Sequence, residues 1–209
     1  MHRVASLDQQ RGFTLVELII ASALLGPAVI AVFLVVERMQ GAYNKGERRA
    51  DVQQSARIVM ARIVRDLRSS GLDPSAVIPR LPIQAAIQTA ETNRIAFVGD
   101  PNSDGSTEKI EYRLDLSADP PVLRRQQWST WNNGWSGTNG AQPLAEWIRS
   151  VEFTYFGPGG GVIPSSEINA RMGEIRRVGI VIIAGEPSSQ AAPESYCLVS
   201  EVRMRNVEL

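Results

Sequence analysis

The chain has 209 residues, with 22 basic and 22 acidic side chains, so its formal net charge is zero. This balance argues against a nucleic acid as the main partner, because binding to phosphates normally requires a basic bias. The chain has one cysteine, Cys197, which excludes an internal disulfide.

Residues 13–36 form an apolar run with a single charged side chain, Glu17. A helix of about 24 residues covers about 36 Å, which is enough to cross a bilayer core. A buried core helix explains such an N-terminal run less well, and a cleaved secretory signal has an apolar region of only about 7–15 residues. We therefore predict a transmembrane helix over 13–36, with the short leader that carries Arg3 and Arg11 inside and the rest of the chain exported.

Glu17 is costly at this position. A carboxylate in the apolar part of a membrane span costs about 2.5–3.5 kcal/mol on insertion scales, and burial without a partner protonates it. Glu17 lies near one end of the run, so its side chain can reach the headgroups. The alternative is a cation from another chain, because the run itself contains no Lys or Arg.

The helix is predicted to continue beyond the membrane and to end at Gly71, which a Leu-Asp-Pro sequence follows. The Gly26-Pro27 pair predicts a kink or a locally melted turn within the anchor. Spacings of three and four place the later apolar residues on one helical face, namely Val52, Ala56, Val59, Met60, Ile63, Val64 and Leu67. The arginines predicted to be solvated, or to contact neighbouring subunits, are Arg57, Arg62, Arg65 and Arg68.

The remainder of the chain is predicted to form strands and turns. KIEYRLDL alternates apolar and charged residues, and VLRRQQW is predicted to return as its hairpin partner. Other strands are predicted in RIAFVG, SVEFTYF, RRVGIVIIAG and CLVSEVRMRNV. Cys197 falls in the last of these and is predicted to be a small buried hydrophobe. A long N-terminal helix packed on an antiparallel β-sheet domain is an α+β fold.

Residues 100–111, DPNSDGSTEKIE, match the loop pattern D-x-[DN]-x-[DN]-G-x5-E. Calcium requires six to eight hard oxygen ligands, which this spacing can supply. The candidate ligands are Asp100, Asn102, Asp104, the carbonyl of Ser106, Glu108 and Glu111, with Gly105 permitting the sharp turn. Strands flank this loop instead of the helices of an EF-hand, and a simple hairpin turn uses the same residue types. A structural calcium site and a turn without metal both remain open.

Trp128, Trp131 and Trp135 lie close together among polar residues. Aromatic side chains stack on sugars, contact a partner's surface or cover the edge of a core. We expect a core or subunit contact, with glycan or adhesive binding as the alternative.

The segment Arg11-Gly12-Phe13-Thr14-Leu15-Val16-Glu17-Leu18, followed by the apolar helix, resembles the processing motif of type IV prepilins and type II secretion pseudopilins. The resemblance implies that prepilin peptidase cuts between Gly12 and Phe13 and methylates the new amino terminus. It also implies a partner for Glu17, the N-terminal ammonium of a neighbouring subunit in the filament. Two charges that are each costly in lipid become tolerable as a pair.

The order of anchor, Arg-rich helix, IEYRLD, LRR and a closing strand with RMRN is most similar to PilW-like minor pilins and J-type pseudopilins. The resemblance implies a leader over 1–12, a spine helix over 13–71 and a periplasmic α+β domain over 72–209. It places the chain in the bacterial inner membrane before assembly. The implied partners are other pilin or pseudopilin subunits, prepilin peptidase, the inner-membrane assembly platform and membrane lipid.

We therefore expect a minor type IV pilin-like structural subunit, assembled at or near the tip of a pilus and supporting pilus assembly. One alternative is a J-type pseudopilin that serves protein secretion. Another is a membrane-anchored periplasmic binding protein that never polymerises. We expect no enzymatic activity, because the one histidine, His2, falls in the leader, which excludes histidine-based nucleophile pairs and zinc sites from the processed chain.

Overall fold

The computed structural model describes residues 12–72, 86–131, 134–185 and 195–206, so residues 1–11, most of the predicted leader, lie outside the described part. Helix α1 runs over Leu15–Arg68, close to the predicted spine helix. It is helical at Gly26 and Pro27, and the locally melted turn predicted there is not formed. The helix ends as the sequence indicates, because Gly71 adopts a left-handed φ of 85° and its N–H donates to the Val98 carbonyl.

Two compact units divide the chain, Met1–Arg48 and Arg49–Leu209. The first contains the apolar part of α1. The second contains the last turns of α1 together with every strand described below. The end of the helix is therefore part of the folded domain.

A six-stranded antiparallel sheet forms the first layer of this domain in the described part of the chain. Its strands are β1 (Ile87–Ala90), β2 (Arg94–Gly99), β3 (Glu108–Asp115), β4 (Val122–Trp131), β5 (Trp135–Thr138) and β6 (Gln142–Glu146). They follow the order β1-β2-β3-β4-β5, and β6 also pairs with β4. The predicted β3–β4 hairpin is confirmed, with Ile110 opposite Gln127 and Leu114 opposite Leu123.

A second antiparallel sheet has the order β7-β8-β9. Its strands are β7 (Ile148–Phe156), β8 (Arg177–Ala184) and β9 (Tyr196–Arg203), with a short 3-10 helix, Met172–Glu174, before β8. These are the strands predicted from SVEFTYF, RRVGIVIIAG and CLVSEVRMRNV. The sequence analysis missed β1, β5 and β6, which are short and carry few apolar residues.

The prediction that Cys197 is buried is wrong, because its side chain is exposed. Alternate residues of a strand point to opposite faces, and Cys197 shares the outward face of β9 with Val199, which is 73% exposed. The core-facing residue near the end of β9 is Val202. An apolar strand sequence does not reveal which of its two faces is buried when the strand lies at a sheet edge.

The predicted apolar face of α1 is confirmed. Six of its members are buried in one core cluster with both sheets, and Val64 packs against that cluster. The six are Val52, Ala56, Val59, Met60, Ile63 and Leu67. The arginines predicted off this face are exposed, and Arg57 donates from Nε to the Tyr196 hydroxyl at 3.0 Å, which attaches α1 to β9.

One acid accompanies these apolar residues into the core. Asp66 on α1 is fully buried. Its Oδ2 accepts hydrogen bonds from the Tyr112 hydroxyl at 2.6 Å and from Arg125 Nε at 3.0 Å, while Arg65 approaches Oδ1 at 3.5 Å. Burial and the adjacent Asp66 charge raise the pKa of Tyr112, so its hydroxyl stays protonated and remains a donor. One carboxylate on the helix thus joins β3 and β4.

We predict that Arg125→Met destabilises the domain by up to about 3–5 kcal/mol, because it removes the buried charged partner of Asp66 and leaves only the exposed Arg65 and Arg62, at 3.5 and 4.0 Å, near the carboxylate. The measurement is urea unfolding of the full chain in detergent, followed by near-UV circular dichroism. Arg124→Met is the matched control. Arg124 binds the partly exposed Asp115 at 2.7 Å, and exposed pairs contribute about 1 kcal/mol or less. An equal loss of unfolding free energy in the two variants would show that the buried Asp66–Arg125 pair contributes no more to stability than the partly exposed Asp115–Arg124 pair.

Candidate functional site

The predicted cleavage point lies outside any helix. Gly12, Phe13 and Thr14 precede α1, and Phe13 is 92% exposed. A peptidase needs an extended, accessible backbone at the bond that it cuts, and a helical bond does not provide it. The geometry at Gly12–Phe13 is therefore compatible with cleavage. The preceding leader residues lie outside the described part of the chain.

The helix that follows exposes its apolar side chains. Within the described residues, α1 is the one helix that is long and apolar enough to cross a membrane, and its most apolar segment is not buried by the rest of the chain. Large apolar side chains are exposed along it from Leu15 to Met39, for example Leu24 at 69% and Phe33 at 70%. A continuous apolar surface of this size marks a site that lipid or other proteins cover.

Glu17 has a local partner that the sequence analysis did not consider. The Thr14 N–H and the Thr14 hydroxyl both donate to Glu17 Oε2 at 2.9 Å, and the Glu17 N–H donates to Thr14 Oγ1 at 3.3 Å. Thr14 precedes the first helical residue, so this reciprocal pair is a capping box that satisfies two N–H groups of the helix end. The T-x-x-E spacing in the sequence is the signal that could have revealed it.

Four of the predicted calcium ligands come together in the loop between β2 and β3. Asp100 Oδ1 accepts the Asp104 N–H at 3.2 Å, and its Oδ2 accepts the Gly105 N–H at 3.0 Å. Asn102 Nδ2 donates to Asp104 Oδ2 at 2.7 Å and to Glu108 Oε1 at 3.4 Å. Gly105 has a φ of 86°, the left-handed conformation that the predicted sharp turn requires.

Glu108 is buried, with 3% of its surface exposed, as are Asp100 and Thr107 in the same loop. Burial, and then the negative charges of Asp104 and Asp100, raise the pKa of Glu108 to about 7. Asp104 is exposed, and the Ser106 N–H, which donates to its Oδ1 at 2.7 Å, holds the pKa of Asp104 below its usual value. Ser106, the predicted carbonyl ligand, follows directly on the turn at Gly105.

Glu111, the predicted closing ligand, is not brought to the same place. It lies three residues after Glu108 on β3, and residues at that separation point to opposite faces of a strand. Its Oε2 is bound by Arg94 Nη2 at 2.7 Å, in an ion pair whose carboxylate is buried and whose arginine is 41% exposed. In an EF-hand the twelfth loop residue lies on a helix, whereas here it is Glu111 on strand β3. The alternation of side chains along the strand therefore directs Glu111 away from the loop.

Among the described residues, no three His, Cys, Asp or Glu side chains are grouped so that they could hold a metal ion. A cation at the β2–β3 loop therefore requires the loop carboxylates to move closer together, and it needs the amide oxygen of Asn102 and a main-chain carbonyl as further ligands. These are ligand types that calcium accepts.

The three tryptophans are partly buried at the β4–β5 hairpin and do not belong to the core cluster. Trp131 and Trp135 face each other across the hairpin, with ring centroids 5.3 Å apart in an edge-to-face arrangement. Trp128 carries Lys109 Nζ 4.8 Å above its ring. These contacts are internal to the sheet, and the predictions of a subunit contact or a glycan site stay predictions.

The family comparison matches residues 7–26 to the Prokaryotic N-terminal methylation motif. No curated protein matches the sequence significantly. The matched segment contains the exposed Gly12–Phe13 bond and Glu17, and it continues into α1. The motif implies cleavage by prepilin peptidase and assembly with other pilin subunits, and the apolar helix is consistent with a single-pass inner-membrane anchor. With this prepilin-type motif and this long N-terminal apolar helix, the chain fits the family of type IV pilins and pseudopilins.

Proposed function

We propose that the chain is a minor type IV pilin-like subunit with a structural, non-enzymatic role. It is inserted in the inner membrane with its C-terminal domain in the periplasm, cut after Gly12 and methylated on Phe13. The assembly platform then incorporates it at or near the tip of a pilus, where it supports pilus assembly. The observation that carries this proposal is the methylation motif joined directly to an apolar helix that its own chain leaves uncovered.

The exposed helix needs two successive environments. In the membrane, lipid covers its apolar surface, because all backbone groups are already satisfied within the helix. In a filament, the corresponding helices of neighbouring subunits take the place of lipid, and their packing is driven by close contact of side chains. A helix with apolar residues on every side suits both, since no polar face must be turned to solvent.

Glu17 contributes to this exchange in two ways. Its bonds to Thr14 satisfy the helix end within a single chain, which lowers the cost of a carboxylate in the membrane. Its negative charge then offers a partner to the ammonium of a neighbour's cleaved Phe13. That ammonium lies at the positive end of its own helix dipole, which disfavours it, and a carboxylate from an adjacent subunit offsets this repulsion.

The order of strand motifs after the anchor supports a minor subunit over a major one. IEYRLD lies in β3, LRR in β4 and RMRN at the end of β9. J-type pseudopilins share this order, so protein secretion is the alternative context.

We predict that the mature protein begins with N-methylated Phe13. Intact-mass and N-terminal peptide mass spectrometry of the chain purified from native membranes measures this directly. An intact Met1, or a cut beyond residue 36, contradicts the proposal and favours a tethered protein that never polymerises.

We predict that Glu17→Gln reduces incorporation into filaments about tenfold or more, because each loss of about 1.4 kcal/mol in pairing is a factor of ten. Gln retains the capping box but carries no charge, so the variant separates the two roles of Glu17. The measurement is the ratio of the protein in sheared filaments to that in membranes, by quantitative immunoblot.

Thr14→Val is the matched control for this experiment. It removes the capping hydroxyl and keeps the Glu17 charge, at a cost of about 0.5–2 kcal/mol to the helix end. We expect near-normal incorporation for this variant. Normal incorporation of Glu17→Gln together with a defect in Thr14→Val would mean that Glu17 serves only to cap the helix.

We predict that deletion of the gene lowers the number of surface pili and leaves type II secretion intact. Electron microscopy of pili and an assay of secreted enzymes in the same strain measure both. The reverse pattern, normal pili with lost secretion, supports the J-type alternative.

A further inference from the structure

We propose that the β2–β3 loop binds one calcium ion through the side chains of Asp100, Asn102, Asp104 and Glu108 and the carbonyl of Ser106. The loop begins directly after β2 ends at Gly99, and Glu108 is the first residue of β3. The proposal concerns the second compact unit, Arg49–Leu209, and does not depend on how the N-terminal motif is used.

The unsatisfied carboxylate of Glu108 indicates that the loop binds a ligand. The residue is 97% buried, since 3% of its surface is exposed, and in the part of the chain that the structure describes its Oε2 is buried with no hydrogen-bond partner. The other oxygen, Oε1, has only long contacts, at 3.3 Å from Gln127 Nε2 and 3.4 Å from Asn102 Nδ2. A buried carboxylate oxygen without a partner is expensive, and a cation bound at the loop removes that cost.

Asn102 marks where the cation would lie. Its amide nitrogen stands between two carboxylates, 2.7 Å from Asp104 Oδ2 and 3.4 Å from Glu108 Oε1. An NH₂ group carries two donors, so it can hydrogen-bond to both carboxylates and partly offset their repulsion. Rotation of the amide exchanges nitrogen for oxygen, so the same side chain can become a ligand when a cation takes over the position between the carboxylates.

The ligand set selects calcium over other metals. All the proposed donors are hard oxygens, and none is the His or Cys that zinc and copper prefer. Magnesium requires near-ideal octahedral geometry with short distances, whereas calcium accepts six to eight oxygens in a flexible arrangement. A loop that offers four side chains and one carbonyl, with water completing the shell, suits calcium better.

Glu111 is excluded from this site, which differs from the EF-hand reading of the sequence. It lies on the opposite face of β3 and is bound to Arg94 at 2.7 Å. Glu108, the ninth residue of the loop, takes the closing role that the twelfth residue has between helices. This assignment makes Glu111 a matched control, because it carries the same charge on the same strand.

The frame around the loop is rigid enough to hold the ligands. Gly99 packs so closely on the end of α1 that a Cβ there would overlap the Ser69 carbonyl. Gln127 links the loop to the core, because its Nε2 donates to Glu108 while its Oε1 accepts from Arg125 Nη1 at 2.7 Å. Arg125 is in turn bound to Asp66. A cation at the loop therefore stabilises the connection between α1 and the sheet.

The test titrates the full chain, purified in detergent and stripped with EGTA, with CaCl₂ or MgCl₂ in parallel. We expect heat of binding by isothermal titration with calcium and a melting temperature raised by about 5–10 °C at about 100 times Kd. Magnesium gives a much smaller shift. Absence of a calcium effect on both heat and melting, or equal shifts with the two cations, overturns the proposal.

Variants then locate the ion. Glu108→Gln and Asp104→Ala each abolish the calcium-induced shift in melting temperature, whereas Glu111→Gln keeps it. Asp104 is exposed, so Asp104→Ala decides the question even if Glu108→Gln does not fold. A shift that survives in Asp104→Ala, or is lost in Glu111→Gln, contradicts the assigned ligands.

Discussion

One buried carboxylate fixes how the last turns of α1 sit on the sheet, in addition to the apolar core that they share. Asp66 has no exposed surface, and its Oδ2 accepts hydrogen bonds from Tyr112 on β3 and Arg125 on β4. Apolar contacts alone allow a helix to slide or rotate on a sheet, because they are not directional. The Asp66–Arg125 pair requires one register of the helix, and its loss leaves the buried charge with only the exposed Arg62 and Arg65 nearby, which is more costly than the loss of an exposed pair.

The same network reaches beyond the core. Arg125 also donates to Gln127, which donates to Glu108 at the base of the β2–β3 loop. Polar groups that are linked in this way strengthen or weaken one another. The loop is therefore connected to the end of the helix through side chains, and its occupancy and the stability of the domain are coupled under the calcium proposal.

The N-terminal part of α1 is stabilised differently from the part that is buried in the core. Its apolar side chains are exposed, and its stability as a helix comes from backbone hydrogen bonds and from the capping box formed by Thr14 and Glu17. This arrangement leaves the apolar surface free for lipid or for neighbouring helices. Glu17 is hydrogen-bonded to Thr14 in the same chain, so its placement in an apolar run does not by itself require a second chain. Its negative charge is still free to pair with the N-terminal ammonium of a neighbouring subunit under the proposed function.

The apolar N-terminal helix, the methylation motif, the apolar face of α1 and six of the strands can be predicted from the amino-acid sequence, because each is a local motif or a local periodic pattern. The sequence also located the Asp/Asn-rich loop. The burial of Asp66, the pairing of Glu111 with Arg94 and the exposure of Cys197 could not be predicted before the fold was known. Those outcomes depend on which face of a strand or helix meets the core. That choice is made by pairing between residues far apart in the chain, such as Asp66 with Arg125, and no local pattern contains it.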